Sequence, residues 1–115
     1  MGTNRFGNEI ADTGANFLNI TTNATTVVKT GAGEFLGFTV NNVGFTTAGS
    51  VTIYDNTAGS GTKIGTWVIP LMPPGTTLLA TTFFPPVISS AMFSIGLTIV
   101  TATTAPAADL TVLYR

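Results

Sequence analysis

The fold is decided by residues 50–69, which read SVTIYDNTAGSGTKIGTWVI. Apolar and polar side chains alternate at the start of this stretch, so Val51 and Ile53 point to the same face of a strand. Residues 56–61 then supply the Asn, Gly and Ser that turns prefer, and residues 62–69 return as a second strand. The stretch therefore predicts a β-hairpin.

The alternation of the hairpin continues over the rest of the chain. In the returning strand it places Ile64 and Val68 on one face and Trp67 on the other. Elsewhere it groups Leu36 with Phe38 and Val40, Leu97 with Ile99, and Leu110 with Val112 and Tyr114. The predicted strands cover residues 17–22, 25–30, 34–40, 50–55, 62–69, 76–84, 96–101 and 109–115, with 91–94 as a short strand or a single turn.

About eight short strands with regular turn signals, and no stretch of helical period, are typical of an all-β sandwich or barrel. We expect a single β-sandwich, jelly-roll-like and antiparallel, because eight strands favour a jelly roll over a seven-stranded immunoglobulin-like sandwich. A length of 115 residues allows one domain. Residues 1–16 show little apolar periodicity and are predicted to form an extended N-terminal arm, followed by the β-sandwich domain over residues 17–115.

Charged side chains are scarce. The chain has four Lys or Arg and five Asp or Glu, whereas a typical chain of this length carries roughly 29 charges. It also has no His and no Cys, which removes the usual general base, the thiol nucleophile and the commonest metal ligands. We therefore expect no enzymatic activity, no cofactor and no metal site.

Three local patterns resemble binding sites without meeting their requirements. The Gly-rich segments 31–33 and 59–61 neither open a helix nor end in Gly-Lys-Ser/Thr, so they predict turns rather than phosphate loops. Asp55 is the single carboxylate of its loop, and an Asx turn fits it better than a Ca²⁺ site. Glu9 and Asp12 lie close in sequence, but an extended arm does not fix two carboxyl groups at a catalytic separation.

Neither nucleic acid nor a membrane is an expected partner. Four cations are too few for a phosphate-binding groove. Residues 87–105 are uncharged and approach the length of a membrane-spanning helix, but they contain Ser, Gly and Thr, follow Pro85 and Pro86, and lack Lys or Arg flanks. No apolar segment follows Arg5, so no signal peptide is predicted.

A charge-poor surface is more typical of a subunit than of a free monomer. Permanent interfaces are depleted in charge at their centres, so a domain within an oligomer on a larger shell tolerates this composition. We expect a homo-oligomer whose arm orders on a partner by adding to a sheet edge. Because large aromatic residues are enriched at interface centres, Trp67, Phe83 and Phe84 are candidate interface residues. Arg5 and Phe6 are the candidate interface residues of the arm.

Two segments carry a resemblance to a known class of proteins. Residues 51–64 (VTIYDNTAGSGTKI) and 93–115 (FSIGLTIVTATTAPAADLTVLYR) resemble small virion proteins of tailed bacteriophages, of the head decoration or capsid cement type. The general character of these proteins extends over residues 25–115. The resemblance implies a sandwich or jelly roll that assembles as dimers or trimers at symmetry axes of the capsid and clamps neighbouring major capsid proteins.

The resulting hypothesis is a non-enzymatic capsid cement protein on the capsid surface of the virion, with itself and the phage major capsid protein as partners. The alternative is a receptor- or glycan-binding domain of a phage tail fibre or spike. In that alternative, Trp67, Phe83 and Phe84 are candidates for a sugar-binding platform, since aromatic faces commonly grip glycans. They lack nearby charged and amide partners in the sequence, which favours a role in the core or at a subunit interface.

Overall fold

The computed structural model describes residues 3–4, 8–9, 15–75, 82–83, 90–103 and 106–115. These residues contain β-strands and no helix, which confirms the predicted all-β class. The strands are β1 (Thr3–Asn4), β2 (Asn8–Glu9), β3 (Asn16–Ile20), β4 (Thr25–Thr30), β5 (Gly33–Val40), β6 (Gly49–Asp55), β7 (Thr62–Ile69), β8 (Thr82–Phe83), β9 (Ala91–Phe93), β10 (Gly96–Ala102) and β11 (Leu110–Tyr114).

Two antiparallel sheets pack against each other, as predicted for a β-sandwich. The first sheet has the order β3-β11-β5-β8, and the second has the order β4-β10-β6-β7. β9 also pairs with β5, through Ala91 and Phe35, while β8 pairs through Phe83 and Phe38. β8 and β9 therefore follow one another along the same edge of β5.

The core lies between the inner faces of the two sheets. The alternation of the sequence correctly predicts the fully buried pairs Val51 and Ile53, Leu97 and Ile99, and Leu110 and Val112. The segment from 91 to 102, which falls within the uncharged stretch considered as a membrane span, forms the strands β9 and β10. In the described residues, no helix has the length and apolar character needed to cross a membrane.

A β-bulge in β5 makes one sequence prediction wrong. Leu36 was expected to share the inner face with Phe38, but Phe35 is the fully buried residue and Leu36 is only partly buried. The register shifts opposite this point, where Leu113 pairs with Gly37 and Tyr114 with Phe35. The extra residue reverses the alternation, and Gly37 permits it with a φ of 131°.

A second bulge changes the alternation of β7. Ile53 pairs with Gly65, and the next residue of β6, Tyr54, pairs with Lys63, so Ile64 is the extra residue. Trp67 and Ile69 consequently face the core, and Ile64 also packs against it. Val68, which was expected to share a face with Ile64, is 63% exposed.

Two predicted segments, the strand over residues 76–84 and the N-terminal arm, are described only in part. Of the strand predicted over residues 76–84, only β8 is described. Within the predicted arm, β1 and β2 pair with each other in antiparallel fashion, and Asn16 already belongs to β3. The remainder of the arm lies outside the described residues.

Candidate interaction surface

Trp67 lies on the edge strand β7 and turns its ring toward the first sheet. Its centroid is 6.0 Å from that of Phe35, with an interplanar angle of 53°, and 5.8 Å from that of Phe38, with an angle of 83°. These tilted and edge-to-face arrangements are those that aromatic pairs prefer. Trp67 thus covers the core at the β7 edge, and its role as an interface residue stays a prediction.

The other predicted interface residues are placed only in part. The backbone of Phe83 belongs to β8 and pairs with Phe38. Arg5, Phe6 and Phe84 lie outside the described residues. The roles of all four residues also stay predictions.

The outer face of the second sheet is covered at its centre by the chain's own β6–β7 loop. Thr98 is 0% exposed, although Leu97 and Ile99 on either side of it face the core. Its hydroxyl donates a hydrogen bond to the backbone oxygen of Asn56, at 2.7 Å. A Cβ added to Gly59 would lie 2.9 Å from a methyl group of Val100, so the loop lies directly on β10.

Asp55 holds the β9–β10 turn onto the end of β6. Its carboxylate accepts hydrogen bonds from the backbone amides of Ser94 (3.0 Å), Ile95 (2.8 Å) and Gly96 (3.3 Å). These donors, chiefly Ile95 and then Ser94, lower the pKa of Asp55 below its ordinary value. The carboxylate joins two turns, which is a structural use of the residue considered as a possible Ca²⁺ ligand.

Asn56 makes the side-chain hydrogen bonds at the start of the β6–β7 loop, and they differ from the expected Asx turn, in which a side-chain oxygen accepts from the amide two residues on. Asn56 Oδ1 accepts a hydrogen bond from the backbone amide of Thr57, at 2.8 Å, and Nδ2 donates to the backbone oxygen of Ser60, at 2.7 Å. These bonds shape the loop that lies on β10. In the described residues, no group of three or more His, Cys, Asp or Glu side chains could hold a metal ion.

The outer face of the first sheet carries a polar network that crosses three strands. Leu110 pairs with Ile20 on one side and Val40 on the other, and all three side chains are buried. The neighbouring row, Asn19, Thr111 and Thr39, therefore lies on the outer face. We call this network the polar ladder; it consists of Asn19, Thr39, Asn41, Asp109 and Thr111.

Asp109 is the centre of the polar ladder. Its Oδ1 accepts hydrogen bonds from Nδ2 of Asn19, at 2.7 Å, and from Nδ2 of Asn41, at 3.2 Å. Asn41 Nδ2 also donates to Thr111 Oγ1 at 2.9 Å, and Asn41 Oδ1 accepts from Thr39 Oγ1 at 3.0 Å. All of these bonds are exposed, so the ladder presents fixed polar groups to the surroundings.

Large apolar side chains lie on the same outer face. Phe17 stands two residues before Asn19 on β3 and is 71% exposed, and its partner in the sheet is the partly buried Leu113. At the far edge, Met92 is 74% exposed and pairs with Glu34. Sequence reasoning missed this surface, because it searched near Trp67 for amide groups that lie on the other sheet.

The three carboxylates of the described sandwich all have hydrogen-bonding partners. Glu34 forms an ion pair with Arg115, at 3.3 Å, and accepts a hydrogen bond from Ser90, at 2.6 Å. Asp55 and Asp109 are bonded as described above. The three carboxylates thus join strands and turns. Few charged groups near the exposed apolar side chains are therefore available for contact with a partner.

Searches among protein-family models, curated protein sequences and solved structures found no match to this chain.

Proposed function

We propose that the chain is a structural virion protein of the capsid cement or decoration type, which binds the major capsid protein and stabilises the phage head from its surface. In this proposal it is a homotrimer or homodimer and not an enzyme. The observation that carries the proposal is the combination of exposed apolar side chains with a shortage of charge. The resemblance of residues 51–64 and 93–115 to such proteins supplies the class of partner.

The exposed apolar side chains occur on several sides of the sandwich. Isolated exposed apolar residues are ordinary in soluble proteins, which remain soluble through their surface charges. This chain has nine charged residues among 115, and three of its carboxylates join strands and turns through hydrogen bonds. Contact with a permanent partner would cover such a surface. The large apolar residues that are exposed are Phe17, Val27, Val68, Leu71, Met92 and Ile95.

The order of the strands supports a jelly roll as the form of the sandwich. The pairs β6 with β7, β5 with β8 and β9, β4 with β10, and β3 with β11 are nested inside one another along the chain. Such nesting describes one long hairpin whose two arms are wound into two sheets, which is how a jelly roll is built. Jelly rolls occur in viral capsid proteins and in lectins.

The number of copies per virion tests the proposal against the tail-fibre alternative. Quantitative gel analysis of purified particles should find hundreds of copies of a cement protein, on the order of the number of capsid subunits, because it covers a closed symmetric shell. A count in the tens or fewer would favour a fibre or spike domain.

A reconstitution experiment tests stabilisation of the head. Particles prepared without this chain should release their genome at a lower temperature than complete particles, and the added purified protein should restore the difference. Particles that keep their full heat and osmotic resistance without the chain would contradict the proposal.

Substitutions to Asp at the exposed apolar positions locate the contact with the shell or with a second copy, and one polar position serves as a control. Each of the six exposed apolar residues is changed to Asp, and Thr66→Asp is the matched control, because Thr66 is exposed on β7 and already polar. At least one apolar position should abolish the oligomer or its attachment to the shell, while Thr66→Asp leaves both intact. Wild-type attachment by all six variants would exclude these side chains as the contact.

A further inference from the structure

We propose that the outer face of the first sheet binds a neutral saccharide, through the polar ladder and the exposed ring of Phe17. This site differs from the sugar platform that the sequence suggests around Trp67, whose ring contacts Phe35 and Phe38 in the core. It is also independent of attachment to a capsid, because it needs only the folded sandwich.

The first argument is that the ladder is already ordered. Both N–H groups of the Asn19 amide are used, one by Asp109 Oδ1 and the other by the backbone oxygen of Leu110 at 2.8 Å. Both N–H groups of Asn41 are used as well, by Asp109 and Thr111. The side chains are thus held in one arrangement before a ligand arrives, which reduces the entropy lost on binding.

The second argument is the set of groups that the ladder leaves available. Within the described part of the chain, Asp109 Oδ2 and Asn19 Oδ1 have no hydrogen-bond donor, and the hydroxyl hydrogen of Thr111 has no acceptor. Two acceptors and one donor on neighbouring strands suit the adjacent hydroxyl groups of a sugar, each of which donates and accepts. Strands lie about 4.8 Å apart, so the ladder is roughly 10 Å wide, which is comparable with one or two sugar rings.

The third argument is the aromatic ring beside the ladder. Phe17 and Asn19 point to the same face and are about 7 Å apart along β3, and Phe17 is 71% exposed. A sugar whose hydroxyl groups bond to the ladder can therefore place an apolar face of its ring on Phe17. Small-molecule and cofactor sites generally combine apolar and aromatic contacts with a few precisely placed polar groups.

The charge of the ladder decides which sugars fit. Asp109 is its single ionisable group, and no cation belongs to the ladder. A carboxylate or sulfate on the ligand would meet the Asp109 carboxylate without a compensating charge. The site therefore selects neutral sugars over sialic acid and other anionic sugars.

Nuclear magnetic resonance of the full-length ¹⁵N-labelled protein tests the site. The probes are glucose, galactose, mannose and N-acetylglucosamine, with N-acetylneuraminic acid as the anionic comparison. At least one neutral sugar should shift the side-chain amide signals of Asn19 and Asn41, with a dissociation constant of about 1 mM, because the site is open on one side. No shift with any neutral sugar, or an equal response to the anionic one, would overturn the proposal.

Two variants separate a binding site from a purely structural ladder. Phe17→Ala changes an exposed side chain and should weaken binding about tenfold or more, without loss of folding. Met92→Ala is the matched control, because Met92 is equally exposed on the same sheet but stands beside the Glu34–Arg115 ion pair. Its affinity should equal that of the wild type. If Phe17→Ala also binds like the wild type, the ring of Phe17 is not part of the site and the proposal is overturned. Failure of the capsid experiments leaves this result unaffected.

Discussion

Replacing Trp67 with Ala distinguishes a core residue from an interface anchor. Deletion of a buried aromatic side chain costs about 3 to 5 kcal/mol of unfolding free energy. Because Trp67 is only partly buried, we expect the lower end, about 3 kcal/mol. Its two ring contacts, with Phe35 and Phe38, account for roughly 1 to 3 kcal/mol of this loss.

The loss can be measured by urea unfolding followed by far-ultraviolet circular dichroism. With a denaturant slope of about 1.5 kcal/mol per M, a loss of 3 kcal/mol lowers the unfolding midpoint by about 2 M urea. The same measurement at two protein concentrations, together with light scattering, records the oligomeric state. Val68→Ala is the control, because Val68 is adjacent in sequence but 63% exposed, and it should cost less than about 1 kcal/mol.

One result would refute the reasoning. If Trp67→Ala keeps the wild-type midpoint while the proposed oligomer dissociates, the ring contributes to the interface and not to the core. If it lowers the midpoint at both concentrations and leaves the oligomeric state of the wild type unchanged, the contacts with Phe35 and Phe38 explain the residue.

Three further changes test other features of the structure. Asp55→Asn should lower stability at neutral pH, and the variant should lose less stability on acidification than the wild type. The reason is that the pKa of Asp55 is lowered from its ordinary value of 3.8, so the carboxylate stabilises the fold at pH values above 3.8 and ceases to do so as the pH falls through the folded-state pKa. Urea midpoints of the variant and the wild type that stay identical from neutral pH to about pH 2 would contradict this. Gly37→Val should cost about 1 to 3 kcal/mol in thermal unfolding, because a β-branched residue is strained at a φ of 131°, and an unchanged melting temperature would argue against the bulge. Thr101→Val should leave stability unchanged or raise it by up to about 1 kcal/mol, because its buried hydroxyl has no partner among the described residues; a clear loss would show that the hydroxyl is bonded.

The strands could be predicted from the sequence, but the faces of two of them could not. β4 and β7 begin and end where the alternation and the turn residues place them. A bulge adds one residue and reverses the alternation, so Phe35 and Trp67 face the core against the simple pattern. A Gly inside a strand is the available signal for a bulge, and Gly37 and Gly65 stand at these two places.

Residues that are buried outside regular strands could not be predicted from the alternation of apolar and polar side chains either. Phe45 lies between the predicted strands over residues 34–40 and 50–55, yet it is 0% exposed and forms an isolated bridge with Met72. Val43 and Phe45 alternate with Gly44 among Asn and Thr residues, and so short a pattern does not mark either side chain as part of the core. Only the packing of the finished sandwich identifies Phe45.

The polar ladder could not be found from spacing along the chain. Asn19 and Asp109, which share its shortest hydrogen bond, are 90 residues apart. Their proximity follows from the pairing of β3 with β11, and a sequence without strand order does not contain that information. Scattered Asn, Asp and Thr residues are ordinary in a chain with this composition, so none of them stands out.

The nested pairing of the strands has a consequence for the kinetics of folding. Among the described strands of the two sheets, β6 and β7 are the only neighbours that are also consecutive along the chain, so their hairpin closes with the smallest loss of chain entropy. Every other pair must wait for a longer loop to close, which is typical of domains that fold in milliseconds to seconds. β11 lies between β3 and β5, so both of these strands keep an unpaired edge on the ribosome until β11 has been synthesised.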